Sequence, residues 1–400
     1  MMDLLLRNVR PLGGAAVDVE VRGGRIHALH PGLDPGSMPV IDGAGALLLP
    51  GLIESHTHLD KTLWGLPWYV NEVGPRLEDR IANERRFRAD SGHDAGAQAL
   101  KLAREFLAQG TTRLRTHVDI DTEAGLKHLH GVLATRAALR DEMEIQLVAF
   151  PQSGLLARPG TAELLDEALR LGADVLGGLD PQAIDGDAAA SLDLLFAIAT
   201  KHGKPIDIHL HEGGEEGART LDLLLDRTQA LGFAGRVAVS HCFCLGDVAF
   251  ARRAQLLERM ARLQVAIITT GTASRPVPPL KECVQAGVLV AAGNDGIRDA
   301  WTPYGRPDML ERAMLLGLRN NLRRDDEIAL AFDAVTSAAA CACGFSDYGL
   351  AVGCRADFVL VEAQNIAEAV VARPPRRLVV SLAKVVAQNP ATIEGSTTGA

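Results

Sequence analysis

His56-Thr57-His58 ends a mostly apolar run that begins near Ala46 and passes through Leu52-Ile53. Two imidazoles spaced two apart point to the same side of an extended strand. Neutral imidazole is a frequent metal ligand, so a pair aimed one way is half of a metal site. Later apolar runs end in the same chemistry. His209 closes Ile206-Asp207-Ile208, His241 follows Val237-Ala238-Val239-Ser240, and Asp295 follows Leu289-Val290-Ala291-Ala292-Gly293. One histidine after a strand is ordinarily structural. Histidines ending separate strands, joined by an aspartate ending a later one, fit a metal better. His56, His58, His209 and Asp295 form the candidate ligand set for one divalent metal, zinc or ferrous iron. A cation with an open position brings the pKa of bound water toward neutrality. Asp295 can touch the metal and also take a proton from that water. Glu212 lies just beyond His209, where the strand gives way to Gly213-Gly214. A carboxylate there can pass a proton to a leaving nitrogen. A second metal needs a bridging group, often a modified lysine on a middle strand. Lys127, Lys201 and Lys204 end no strand-like run, which favours one metal.

These residues must be positioned by something that gathers strand ends. The first 50 residues read as short β-prone runs, with Arg22-Gly23-Gly24-Arg25 as a hairpin turn. From Gly51 to Phe345 short apolar runs alternate with helix-like stretches. The runs are Leu47–Ile53, Thr112–Val118, Ile145–Phe150, Val175–Gly178, Ile206–Leu210, Val237–Ser240, Val265–Thr269 and Val288–Ala292. The stretches include Ala95–Ala108, Thr161–Leu171, Ala188–His202 and Leu245–Arg262. Such alternation predicts an α/β chain with a (β/α)8 barrel over residues 51–345, whose functional groups gather at the C-terminal strand ends. A doubly wound sheet is the alternative, but no G-x-G-x-x-G follows the first strand. After Phe345 the chain turns β-like again, at Asp357–Val361, Ala369–Val371 and Leu378–Val380. Residues 1–50 and 346–400 are expected to form one small β-sandwich domain, with 394–400 as a loose tail.

Composition narrows the partners. The formal charge of −9 is dispersed, which disfavours a nucleic-acid backbone. No apolar run reaches membrane-spanning length, and the N-terminal residues lack a signal-peptide pattern, so a cytoplasmic location is the expectation. The C-x-C pairs Cys242/Cys244 and Cys341/Cys343 read as reduced, packed thiols rather than metal sites. Among the other histidines, His117 and His211 read as pocket-lining or bracing groups. His27, His30, His93, His128, His130 and His202 read as surface groups. Lys61 and Asp60 either clamp the first loop or pair with each other. Leu66-Pro67-Trp68-Tyr69 reads as a pocket lip or an interface patch.

Together these segments resemble the amidohydrolase superfamily, in particular its cytosine deaminase branch. The resemblance rests on Pro50 through Lys61, Arg115-Thr116-His117-Val118-Asp119, Val148 through Gly154, Ser240-His241, and Asp295 through Gly305. It implies His56, His58, His209 and Asp295 as ligands of one metal and Glu212 as proton shuttle. It implies that His241 orients the attacking water, that Gln152 reads a ring N–C=O edge, and that Trp301 is an aromatic wall. Gly296 departs from the branch, which carries a second aspartate there. That departure predicts room for a ring substituent. The implied reaction is hydrolytic deamination of a cytosine-like ring such as cytosine, 5-methylcytosine or isoguanine. The isopropylammelide aminohydrolase branch shares Arg115–Asp119 and Ile297-Arg298-Asp299. Its reaction, release of an alkylamine from an N-alkyl aminotriazine, is the alternative, together with opening of a cyclic amide. A catalytically dead scaffold is disfavoured because every expected ligand is present. The implied partner is a small heterocycle, and a homo-oligomer is expected by analogy.

Overall fold

The computed structural model describes residues 3–74, 77–90 and 92–388. The tail at 394–400 lies outside these residues. The chain opens with β1 (Leu4–Pro11), β2 (Val17–Arg22), β3 (Arg25–His30), β4 (Val40–Asp42) and β5 (Leu47–Pro50). Then come β6 (Leu52–Thr57), β7 (Thr111–Asp119), β8 (Glu144–Phe150), β9 (Val175–Leu179), β10 (Ile206–Leu210), β11 (Val237–His241), β12 (Ala266–Thr269) and β13 (Val290–Ala292). β14 (Phe358–Val361), β15 (Arg376–Ser381) and β16 (Lys384–Gln388) return to the first sheet.

β6 to β13 form one eight-stranded sheet in chain order, every neighbouring pair parallel. The ends meet where Thr57 bridges Asp295, and Asp295 N donates to His56 O at 2.7 Å. This is the (β/α)8 barrel, with helices such as Ala95–Ala108, Thr161–Leu171 and Ala188–His202 at the expected places. Inside the barrel, small side chains such as Ala238, Ala266 and Ala291 pack against Ala339, Ala340 and Cys343 of the helix Ser337–Cys343.

The small domain is mainly β. Its hydrogen-bonded path runs β16-β15-β14-β5-β1-β2-β3, with β4 on β1, so both chain segments share one sheet. The run expected as one strand, Leu47–Ile53, is two. It breaks at Gly51, where a Cβ would collide with the Thr112 side chain. Gly51 N donates to Asp357 O at 2.9 Å, and Tyr348 OH donates to Gly51 O at 2.7 Å. Ala369–Val371, expected as strand, is instead in the helix Ile366–Ala372. Asn365 caps it by accepting from Glu368 N at 2.9 Å, and Ala369 and Val370 turn into the core. Leu245–Arg262 divides into Cys244–Asp247 and Phe250–Arg262 at an extended Val248.

Candidate active site

β6 reaches the site through His56, and His58 follows at the residue just past the strand's end. β7 contributes His117, β10 His209 and β11 His241, and the loop after β13 contributes Asp295. All five imidazoles are buried. The His56 ring lies 4.6 Å from His209, 5.0 Å from His241, 5.6 Å from His58 and 4.1 Å from His117, centroid to centroid. Asp295 Oδ1 stands 3.3 Å from His58 Nε2 and 3.6 Å from His56 Nε2, and Oδ2 lies 4.0 Å from His241 Nε2. Both His241 and Asp295 have left-handed backbone, φ 67° and 63°. Side chains other than glycine are costly there, and such strain is typical of residues aimed by a surrounding structure.

The tautomer of His56 follows from its neighbours. Ser240 Oγ donates its single hydrogen to Asp207 Oδ1 at 2.7 Å. The 2.9 Å contact between His56 Nδ1 and Ser240 Oγ therefore has His56 as donor. Nε2, on the far side of the ring, has no hydrogen-bond partner among the described residues. Both ring nitrogens of His209 are likewise buried and unpartnered among the described residues. Donor atoms of His56, His58 and His209 lie within 4.8 Å of one another. Burial, then the neighbouring imidazoles, hold His209 and His241 well below the ordinary imidazole range, so both are neutral. Burial works to raise Asp295, but its contacts with His56 and His58 outweigh it and keep the carboxylate ionised. Neutral nitrogen donors beside an anionic oxygen are what a divalent metal requires. The arrangement fits one.

Behind the ligands is a brace that sequence reasoning did not identify. Arg115 Nη1 donates to Asp207 Oδ2 at 2.8 Å, and His117 Nε2 lies 3.6 Å from Asp207 Oδ1. Asp207 is two residues before His209, and that spacing on one strand face was the available signal. Glu54 accepts from His56 N at 2.8 Å and from Asn294 Nδ2 at 2.7 Å. Arg312 Nη2 donates to Asn294 Oδ1 at 2.8 Å, so this brace spans the barrel seam.

On the substrate side, Gln152 is buried just past β8, and its Oε1 accepts from Lys61 Nζ at 2.7 Å. Lys61 pairs with Asp119 and not with Asp60, which pairs with His128. His128 is therefore not a surface group, and His93 Nε2 contacts Asp60 O at 2.9 Å. His202 lies 2.7 Å from Asp166 at its helix end. Glu212 is buried, but its carboxylate accepts from Gln182 N at 2.8 Å, Ala183 N at 3.0 Å and Thr220 Oγ1. His211, in contrast, stacks on His241 at 4.2 Å, with Nδ1 2.7 Å from Asp180 Oδ2. The room expected at Gly296 is not vacant. Asp299 Oδ2 fills the place a Cβ would take, while Asp299 Oδ1 accepts from Trp301 N and Thr302 N, both at 2.8 Å. Trp301 is half-buried, and its Nε1 meets no acceptor among the described residues. The lip is stitched across the mouth. Arg298 lies over Trp64 and Trp68 at 5.3 and 5.6 Å, and Leu63 N donates to Arg298 O at 2.7 Å. The C-x-C cysteines are free thiols; Cys242, Cys244 and Cys343 are packed as expected, whereas Cys341 is exposed.

The sequence profile of the amidohydrolase family matches residues 39–390. The crystal structure of N-isopropylammelide isopropylaminohydrolase from Burkholderia multivorans is 59% identical. It covers 97% of this chain and 99% of its own, with a TM-score of 0.95. The N-isopropylammelide isopropyl amidohydrolase of Pseudomonas sp. strain ADP is 28% identical over 97% of this chain and 98% of its own length. A 5-methylcytosine deaminase from Klebsiella pneumoniae, solved with 5-fluorocytosine, is 28% identical. It covers 96% of this chain and 97% of its own, with a TM-score of 0.86.

Proposed function

The chain belongs to the amidohydrolase family of metal-dependent hydrolases acting on carbon–nitrogen bonds, and on that premise we propose that it hydrolyses the exocyclic C–N bond of an N-alkylamino dioxo-triazine such as N-isopropylammelide. Water adds at the amine-bearing ring carbon, that C–N bond breaks, and the alkylamine and a trioxo ring are released. The observation that carries the hydrolytic chemistry is the convergence of the buried His56, His58 and His209 imidazoles beside Asp295, with His56 Nε2 and both His209 nitrogens unpartnered among the described residues. The substrate is carried by the 59% identical relative. This moves the alternative drawn from sequence ahead of cytosine-type deamination.

His56, His58, His209 and Asp295 would hold one zinc or ferrous ion. When bound, that ion makes water acidic enough to attack at neutral pH. A second ion is disfavoured at the neighbouring group of His56, His117 and Asp207. Arg115 and Ser240 already engage the Asp207 oxygens there. His241 and Asp295 face each other across the site and hold the water for attack on the ring carbon, with Asp295 taking its proton. The leaving nitrogen must then be protonated. Glu212 can do this only if its carboxylate leaves the Gln182 and Ala183 amides, whereas His211, backed by Asp180, needs no such movement. Gln152 and Trp301 line the ring subsite. The homo-oligomer and the cytoplasmic location belong to the proposal by family analogy.

A second reading, deamination of a 5-substituted cytosine, is favoured by the deaminase structure that holds 5-fluorocytosine. One assay separates them. Metal-analysed protein is given N-isopropylammelide, 5-methylcytosine and cytosine, and alkylamine and ammonia are measured separately. Isopropylamine release that a chelator abolishes and zinc restores supports the proposal. Ammonia from 5-methylcytosine with no isopropylamine overturns it in favour of the second reading.

A further inference from the structure

The helix Leu77–Asp90 is anchored by a charge. It lies between β6 and Ala95–Ala108, outside the regular alternation of barrel strand and helix. An amphipathic helix buries an apolar stripe. Among the described side chains of this one, only Glu84 is buried. Glu84 Oε1 stands 3.5 Å from Lys61 Nζ, which lies 2.8 Å from Asp119 Oδ1 and donates to Gln152 Oε1 at 2.7 Å. Arg85, the next residue, donates from Nη2 to Ser153 Oγ at 2.7 Å, so the helix sits against the loop after β8. The imidazole cluster is close by. Lys61 Nζ is 5.7 Å from the centre of the Phe150 ring, and Phe150 stacks on His209 at 4.1 Å. Asp299, packed on Gly296 in the loop that carries Trp301, senses the same carboxylate. Burial does most to raise its carboxyl, and the Glu84 charge adds to it. Glu84 Oε2 is buried and has no hydrogen-bond partner among the described residues. A buried carboxylate oxygen without a donor is costly, and beside a substrate site a ligand can supply that donor.

We propose that Glu84 is a further substrate-binding residue, whose Oε2 accepts a ring N–H of the heterocycle while Lys61 holds Oε1. The inference rests on the azine-ring reading above but not on which azine, because a dioxo-triazine and a 5-substituted cytosine both carry ring N–H. A hydrogen bond to an ionised carboxylate is roughly twice as strong as one to a neutral acceptor. Lys61 keeps the carboxylate charged and fixes its direction. Because Glu84 arrives on the helix Leu77–Asp90, docking of that helix completes the ring subsite.

The ring proton itself is the readout. Trioxo-triazine and 5-methyluracil, the products of the two readings, are isotope-labelled at their ring nitrogens. Each is added to metal-analysed protein and followed by nitrogen-edited proton NMR and calorimetry. In the wild type, the ring that binds should show an N–H proton moved downfield and protected from exchange with solvent. Glu84→Leu should lose that signal and weaken the ring by about 10- to 100-fold, with metal content unchanged. Glu84→Gln keeps an oxygen acceptor, so it should restore most of the affinity with a smaller downfield shift. Arg85→Ala loosens the same helix but leaves the acceptor, so the downfield proton should remain. If Glu84→Leu does not fold, the shift in Glu84→Gln decides. A wild type with no such proton on either ring, or a proton unchanged in both Glu84 variants, overturns the inference. Isopropylamine release alongside that result leaves the function standing. Ammonia from 5-methylcytosine without isopropylamine, with a Glu84-dependent proton on 5-methyluracil, overturns the triazine reading and supports the inference.

Discussion

At the scale of single residues, the loop after β10 poses the sharpest question. His211 and Glu212 are adjacent, yet one stacks on His241 and the other caps backbone amides of residues 182 and 183. A positioned proton carrier contributes about 10²–10⁴-fold to rate. We expect His211→Asn to lower kcat by at least about 100-fold and Glu212→Gln by less than about tenfold. Equal and large losses would return the shuttle to Glu212. Asp299 gives a second test. Burial pushes its carboxyl up to about 7, against an ordinary value near 3.8. Between those values the folded chain holds a proton that the unfolded chain has released. Stability from this group is therefore full below the ordinary carboxylate range and is lost as pH rises through about 7. Asparagine imitates the protonated form and can keep the bonds from Trp301 N and Thr302 N. Asp299→Asn should melt like the wild type at pH 4.5 and above it at pH 8, by roughly 2 kcal/mol of stability. Parallel melting profiles across that range would show that the carboxyl is ionised throughout.

At the scale of elements, the barrel seam decides whether the ligands meet. β6 and the turn after β13 supply His56, His58 and Asp295, and they are held by the Glu54–Asn294–Arg312 chain. Gly293 lies inside that seam. A Cβ there would stand 2.5 Å from His56 O and 2.6 Å from both His56 Cβ and Glu54 Oε1. The neighbour is largely backbone and cannot turn aside. Gly293→Ala should cost about 1–3 kcal/mol and lower metal content per folded chain. Gly317, in the helix Met309–Arg319, has nothing within 4 Å of an added Cβ. Gly317→Ala should be neutral or stabilising by about 0.4–1 kcal/mol. Denaturant melts with metal analysis on both variants check the contrast.

At the scale of the whole molecule, the small domain and the barrel share one strand. In β5, Leu48 faces the core of the small domain, while Leu47 and Leu49 face the barrel core. Arg113, buried in β7, donates to Ser346 O at 2.5 Å and stacks against Phe345 and Tyr348. The two parts should unfold together. Leu48→Ala and Leu49→Ala, on opposite faces, should each shift a single unfolding transition by about 2–5 kcal/mol. Two separate transitions, one per variant, would mean that the parts melt independently. No helix among the described residues is long and apolar enough to cross a membrane.

The alternation of apolar runs and helices made the barrel legible, because strands buried on both faces read as continuous apolar runs. The same runs displayed His56, His58, His209, His241 and Asp295, because a functional residue at a strand end interrupts an apolar pattern where it stops. What the sequence could not show were the partners. Asp207 of one strand meets Arg115 and Ser240 of two others, Lys61 meets Gln152 across 91 positions, and Asp299 folds back into the space at Gly296. Hydrogen-bond direction and the filling of space depend on atoms brought together from distant segments. The sequence by itself therefore determined the fold and the metal-ligand set as expectations. Only the tertiary structure decided which side chains remain free to meet a substrate.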